Sequence, residues 1–218
     1  LDEFIYGLAE IKRNEIIDSK NIAIPGCYPT SILLPLIPLL KNNLISDENI
    51  IIDSKSGYSG AGKKYDINNI KSNKEYNFYN YNTNSHRHIS EIKQELLKCS
   101  KNNKVDFSFN PHILPNFRGM MSTIYCDLNK NVKIDNIIET LKNFDELNPF
   151  IKLIDTDQRV DFFSVQNTNF CKIKICKHHN EKKIILVSAI DNLTKGAAGQ
   201  AVQCLNISEN LDETKSLV

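Results

Sequence analysis

The chain has 218 residues, with 27 Lys and Arg against 26 Asp and Glu. That is length for one large domain with a sizeable core, and a charge balance that asks for neither a nucleic acid nor an acidic membrane surface as partner. No apolar run reaches the roughly 18 residues of a membrane helix, since the best one, Ile32 to Leu40, holds Pro35 and Pro38. No basic stretch followed by an apolar one opens the chain, so no signal peptide is expected. The cysteines Cys27, Cys99, Cys126, Cys171, Cys176 and Cys204 form no CxxC pair; reduced thiols in a cytoplasmic protein fit better than a disulfide framework. Asn and Ile are frequent and Trp is absent, which reads as compositional drift.

In chain order, "LDEFIYGLAE" looks like the tail of something that precedes it, a strand exit and a turn. "NIAIPG" is a short strand stopped by Pro25 and Gly26. A helix follows, with Pro29 in its first turn, where a missing N–H costs nothing. Pro35 and Pro38 lie further in, so the helix is either kinked or held by burial. "NIIIDSKSGYSGAGKK" is a buried strand running into a Gly/Ser loop, and "NFYNYNTN", Asn77 to Asn84, an ordered strand end or loop. "SHRHISEIKQELLKC" puts Ile89, Ile92, Leu96 and Cys99 on one helical face. "KVDFSFNPHILPNFRGMMSTIYCDL" reads as a strand, a proline-punctuated loop and a second strand; "KIDNIIETLKNF" is an amphipathic helix. "RVDFFSVQNTNFCKIKICKHHNEKKIILVSAIDNL" reads as three strands with hairpin turns, the last around Asn180, and "KGAAGQAVQCLNI" as a closing helix with a small-residue face. The order predicts an α+β fold with a mixed, largely antiparallel sheet and helices on one face.

Chemistry concentrates at "PGCYPT". The first N–H groups of a helix lack internal partners and carry about half a positive charge. A thiol there ionises more easily, and thiolate is the reactive form. Gly26 allows a sharp turn and a close approach. Cys27 is thus a candidate nucleophile, the bland alternative being a small buried hydrophobe. A thiol nucleophile needs a base, and "HRHISE" supplies His86, His88 and Glu91; the bland alternative is a solvated helix start with a capping acid near Ser90. His112 reads as a loop histidine, and Arg87 and Arg118 as anion binders or plain surface. Zinc at "CKIKICKHH" is disfavoured, because Cys171 and Cys176 point to opposite faces of a strand.

Taken together, "YGLAE", "PGCYPT", "DSKSGYSGAGK", "HRHISEI", "FNPHILPNFRGMMSTIY" and "SAIDNLTKGAAGQAVQCLN" resemble the N-acetyl-gamma-glutamyl-phosphate reductases of arginine biosynthesis, over nearly the whole chain and in the family's order. The resemblance implies a glyceraldehyde-3-phosphate dehydrogenase-like catalytic domain and an NADPH-dependent reaction. Cys27 would attack the acyl phosphate and form a thioester, and hydride from NADPH would then yield the semialdehyde. His88 would be the acid/base, supported by His86. Glu91, Arg87 and Arg118 would bind substrate. Ser59, Gly60 and Ala61 would offer backbone N–H groups beside the nicotinamide, with Asn192 near the cofactor and Gly196 and Gly199 permitting close packing. No metal is implied, and a homo-oligomer, dimer or tetramer, is expected.

The resemblance further implies that residues 1–20 are the tail of a cofactor domain, 21–190 a catalytic and dimerisation domain, and 191–218 a helix returning to the cofactor domain. The family's glycine-rich phosphate loop has no counterpart in this sequence, so the isolated chain is expected to bind NADPH weakly and to be inactive by itself. Departures from the family pattern are Ala9 in "YGLAE", Ile24 before Pro25 and Lys63 where Arg is usual. Three other readings stand beside this one: an acetyl-aminoadipyl-phosphate reductase of lysine biosynthesis, a non-catalytic oligomerisation module, and, last, a cysteine hydrolase.

Overall fold

A computed structural model describes residues 3–61, 77–101 and 103–217; Lys63 lies outside them. Strand β1 (Ile5–Tyr6) pairs in parallel with β2 (Ile22–Ala23) across helix α1 (Ala9–Ile17). Helix α2 (Cys27–Lys41) leads to β3 (Ile50–Gly57) and a 3-10 turn (Tyr58–Ala61). Then come β4 (Tyr79–Asn80), α3 (His88–Leu97), β5 (Phe107–Leu114), β6 (Met120–Asp127) and α4 (Ile134–Leu147). Strands β7 (Ile151–Ile154), β8 (Cys171–Lys177) and β9 (Lys183–Ile190) precede a π-helical turn (Thr194–Ala198) and α5 (Gly199–Ser208).

The main sheet has seven strands in the order β4-β5-β3-β6-β9-β8-β7. β3 runs parallel to β5 and β7 to β8; the other pairs are antiparallel. The mixed, largely antiparallel α+β expectation is borne out. Period-2 alternation sets the faces. Ile50, Ile52, Phe109, Ile124, Ile173, Leu186 and Ile190 are buried, whereas Ile51 and Tyr125 on the opposite face are 51% and 40% exposed.

Helix α2 lies on the buried face and explains its prolines. A helix that is apolar on all sides must be buried, and every residue from Tyr28 to Leu40 is. Two interior prolines cost about 6 kcal/mol in an ordinary helix. Full burial of Ile32, Leu33, Leu34, Leu36, Ile37 and Leu39 contributes on the order of 9–18 kcal/mol, so burial wins and the helix continues through both. A buried hydroxyl chain pins it to the sheet: Ser31 Oγ, Ser122 Oγ and Ser54 Oγ lie in sequence at 2.7 Å.

Two local readings are corrected. Pro111 lies within β5, where a loop was expected. It fits because the ladder with β4 covers only Tyr79–Ile113 and Asn80–His112, so no N–H is required of Pro111, and its carbonyl accepts from Tyr81 N–H at 3.2 Å. The first of the three late strands is β7, and the stretch around Asp161 is turns instead: Asp161 Oδ1 accepts from Ser164 N–H and Phe163 is 81% exposed. The strand expected in the opening residues is β1; α1 follows it, with a kink at Lys12, and packs on α5 through Ala9, Ile16, Cys204 and Ile207. The frequent Asn has a conformational use: Asn43, Asn49, Asn82, Asn84, Asn103, Asn131, Asn167 and Asn210 all take positive φ, a region Asn tolerates better than other side chains.

Candidate active site

Cys27 is the first residue of α2, and Gly26 is its N-cap with φ −67° and ψ 158°. The Gly26 carbonyl accepts from Thr30 N–H and from Thr30 Oγ1, each at 3.0 Å. Its N–H donates to Glu91 Oε1 at 2.9 Å, and the same oxygen accepts the Tyr6 hydroxyl at 2.8 Å. The turn under the sulfur is therefore clamped from β1, α3 and α2 at once. Pro29 supplies no N–H, and the Tyr28 and Cys27 N–H groups bear on the thiol.

Those N–H groups do not win. Burial pushes the Cys27 thiol up to about 11, against the lowering by the Tyr28 and Cys27 N–H groups and Arg87. The helix-terminus argument has the right sign and the smaller size, because removing an anion from water outweighs partial charges at a helix end. The thiol rests neutral.

Two glycines make room. A Cβ on Gly26 would sit 2.5 Å from His88 Nε2 and 2.7 Å from its Cε1, so the imidazole packs directly on the residue before the nucleophile. A Cβ on Gly196 would sit 2.6 Å from Cys27 Cβ and 3.1 Å from Cys27 Cα.

The two histidines divide their work. His86 Nδ1 accepts from His88 N–H at 3.1 Å, and His86 Nε2 meets the Tyr81 hydroxyl at 3.3 Å. Tyr81 OH donates to Tyr28 OH, which donates to the His112 carbonyl, both at 3.2 Å. Read from its end, this chain assigns His86 as the neutral tautomer protonated at Nε2. Both its ring nitrogens are occupied. His88 Nδ1 is buried without a partner among the described residues. Burial, then the neighbouring His86 and Arg87, push His88 down to about 4, so at neutral pH it is an unprotonated base. The rings of Tyr28, His86 and His88 form one edge-to-face cluster, with centroids 4.8–6.1 Å apart.

The other predicted residues fall into two groups. Arg87 caps α3 and lines a cleft of about 330 Å³ with Gly60, Tyr79, Tyr81, Asn82 and His86. Asn192 Oδ1 accepts from Gly119 N–H, and its Nδ2 donates to Ser59 Oγ, each at 2.9 Å. The Ser59 N–H is engaged by the Phe117 carbonyl at 3.2 Å, so of the three expected backbone donors Ser59 already has an acceptor. Gly60 turns its missing side chain toward Ser56 Oγ, 2.9 Å from an ideal Cβ, and Ala61 ends the turn. Arg118 bonds Asn167 and Asp191, the latter at 3.1 Å. Asp191 is fully buried, and its other oxygen accepts from Leu193 and Thr194 N–H.

Sequence reasoning missed the clamp from Tyr6 and the fully buried ion pair between Glu10 and Lys195, 2.5 Å long. Glu10 closes "YGLAE" and Lys195 opens "KGAAGQA", so both stretches had been singled out, but no local signal joins residues 185 apart.

The family model described as "Semialdehyde dehydrogenase, dimerisation domain" matches residues 27–192. The chain belongs to that family. It is 43% identical over 216 residues to the "Probable N-acetyl-gamma-glutamyl-phosphate reductase, chloroplastic" of Arabidopsis thaliana, covering 99% of this chain and 54% of the relative. It is 44% identical over 220 residues to the N-acetyl-gamma-glutamyl-phosphate reductase of Caldicellulosiruptor bescii, covering 100% and 63%. The chain thus spans between about half and two thirds of the curated relatives it matches, and the resemblance read from its motifs is borne out. Aspartate semialdehyde dehydrogenase II of Vibrio cholerae shares the fold, with a TM-score of 0.74 at 16% identity over 96% of this chain and 69% of that one. No helix among the described residues is long and apolar enough to cross a membrane.

Proposed function

We propose that this chain is the catalytic part of an NADPH-dependent N-acetyl-gamma-glutamyl-phosphate reductase of arginine biosynthesis. The single observation behind this reading is the seat of Cys27, at a helix mouth, backed by Gly196 and beside an unprotonated His88 packed on Gly26.

The residues present fit the nicotinamide end of the cofactor. Gly60, which leaves no Cβ over Ser56, lines the cleft, and the buried amide of Asn192 is bonded to the neighbouring Ser59 Oγ. Ser59, Gly60, Ala61 and Asn192 would hold that end. When bound, a reduced nicotinamide cofactor supplies the hydride that takes the thioester to the aldehyde level.

The chain's own groups do the rest. Cys27 Sγ forms a bond to the acyl carbon, the carbon–oxygen bond to phosphate breaks, and His88 accepts the thiol proton during attack. Because both groups rest neutral, proton transfer accompanies attack rather than preceding it. The Cys27 and Tyr28 N–H groups stabilise negative charge at the helix mouth. When the carbon–sulfur bond breaks, His88 returns a proton to the sulfur. His86 is the positioning residue, holding His88 by its N–H and tied in turn to Tyr81. Arg87, at the cleft, meets the substrate's anionic groups. Arg118 and Glu91 already have partners within the chain, and their contact with substrate is part of the proposal. A second copy of the chain would cover the open sheet face that carries Ile51 and Tyr125.

The deciding experiment is Cys27→Ser in the protein that carries this chain together with a dinucleotide-binding domain, assayed for phosphate-dependent oxidation of N-acetylglutamate semialdehyde. Turnover should vanish; retained turnover refutes the nucleophile.

A further inference from the structure

A fully buried ion pair adjoins the π-helical turn that packs on Cys27. Lys195 has no exposed surface. Its Nζ donates to Glu10 Oε1 at 2.5 Å and to Gln203 Oε1 at 2.7 Å, and lies 5.6 Å from the centre of the Phe150 ring. Gln203 Nε2 donates to Glu10 Oε1 at 2.8 Å. Glu10 Oε2 is buried and has no partner among the described residues. One ammonium therefore ties the π-helical turn to both α1 and α5.

A buried ion pair is weak support for stability alone, since its desolvation commonly cancels its attraction and an apolar pair of similar volume often serves as well. What it adds is direction. The turn is held in an unusual register, with Gly196 N–H donating to the Asp191 carbonyl at 2.9 Å and Ala198 N–H to the Leu193 carbonyl at 3.1 Å, each five residues back. Such π-turns often mark functional positions. The register sends Lys195 to α1 while the next residue, Gly196, presses on Cys27 with no room for a side chain.

We infer that Glu10 and Lys195 are positioning residues for the nucleophile: their ion pair holds the π-turn so that the Gly196 backbone backs Cys27 and fixes the thiol at the helix mouth. The inference rests on Cys27 being the nucleophile, but it is tested by thiol chemistry that needs no substrate. Without the pair the turn relaxes toward an ordinary helical register, Gly196 withdraws, and the sulfur becomes more open to water.

The test is carboxamidomethylation of Cys27 by iodoacetamide in the intact folded chain, followed by peptide mass spectrometry so that the other thiols do not confuse the readout. Lys195→Met, Glu10→Gln and the double variant Glu10→Leu/Lys195→Met are compared with Ile137→Val in α4, a core change remote from the turn that shows what destabilisation alone does. Rates are taken well below each unfolding midpoint and across pH. The pair variants should alkylate Cys27 about tenfold faster than the remote control, because a sulfur more open to water forms thiolate more readily, with the profile moved to lower pH. If Lys195→Met fails to fold, Lys195→Arg keeps the charge and changes the reach, giving the same comparison. Alkylation of Cys27 no faster than in the remote control overturns the inference and leaves the pair a structural element. That outcome is separate from the Cys27→Ser result, which concerns turnover alone.

Discussion

Gly196→Ala sets two physical effects against each other. In an ordinary helical position the change from Gly to Ala stabilises by roughly 0.5–1 kcal/mol, because Ala has less backbone freedom to lose. Here the new Cβ would lie 2.6 Å from Cys27 Cβ and 3.1 Å from Cys27 Cα, against an ordinary carbon–carbon contact of about 3.5–4.0 Å. The shortfall is on the order of 1 Å, and the atoms in the way belong to the backbone end of α2, a helix buried from Tyr28 to Leu40. Neither side can rotate away. Overpacking of this kind costs about 1–3 kcal/mol. The balance is a net loss of up to about 2.5 kcal/mol, which for a chain of this size lowers the unfolding midpoint by up to about 10 °C. Scanning calorimetry of wild type and variant measures it directly. A variant whose midpoint rises would show that the propensity effect wins and that Gly196 does not press on the nucleophile.

Three further outcomes follow from the site. Iodoacetamide alkylation of wild-type Cys27 should still be accelerating between pH 8 and 10, since burial lifts the thiol to about 11; a plateau by pH 8 would mean the sulfur is not desolvated. Glu91→Gln retains an acceptor for Gly26 N–H but removes a carboxylate whose charge opposes thiolate formation, so the alkylation profile should move to lower pH, and an upward move contradicts the clamp. His88 has its usual value of about 6.5 when unfolded and about 4 when folded. The unfolded chain therefore binds the extra proton between those values, and stability is complete above pH 6.5 and lost as pH falls toward 4. Thermal midpoints of His88→Gln should fall less than those of wild type across that window; equal falls would remove His88 from the acid-sensitive groups.

Much of the site's mounting was legible because it is local. Pro25, Gly26, Cys27 and Pro29 write a strand stop and a helix start within five residues, and the α3 face of Ile89, Ile92 and Leu96 is a matter of period. The turn around Asn180 between β8 and β9 was equally readable, with Lys183 N–H donating to the Asn180 carbonyl. Pro111 misled because the cost of a proline in a strand depends on what its neighbour needs from it, and β4 needs nothing there.

By itself, then, the sequence determined which residues could start and stop elements and which chemistry they carry, since backbone dihedral preferences and side-chain periodicity act over a few residues. Tertiary structure alone decided that Glu91 grips Gly26 from 65 residues away and that Lys195 meets Glu10 across 185. It also decided that Cys27 rests as a thiol and that His88, packed on Gly26, rests neutral, because the free energy of a charge is set by how much water the distant segments leave around it.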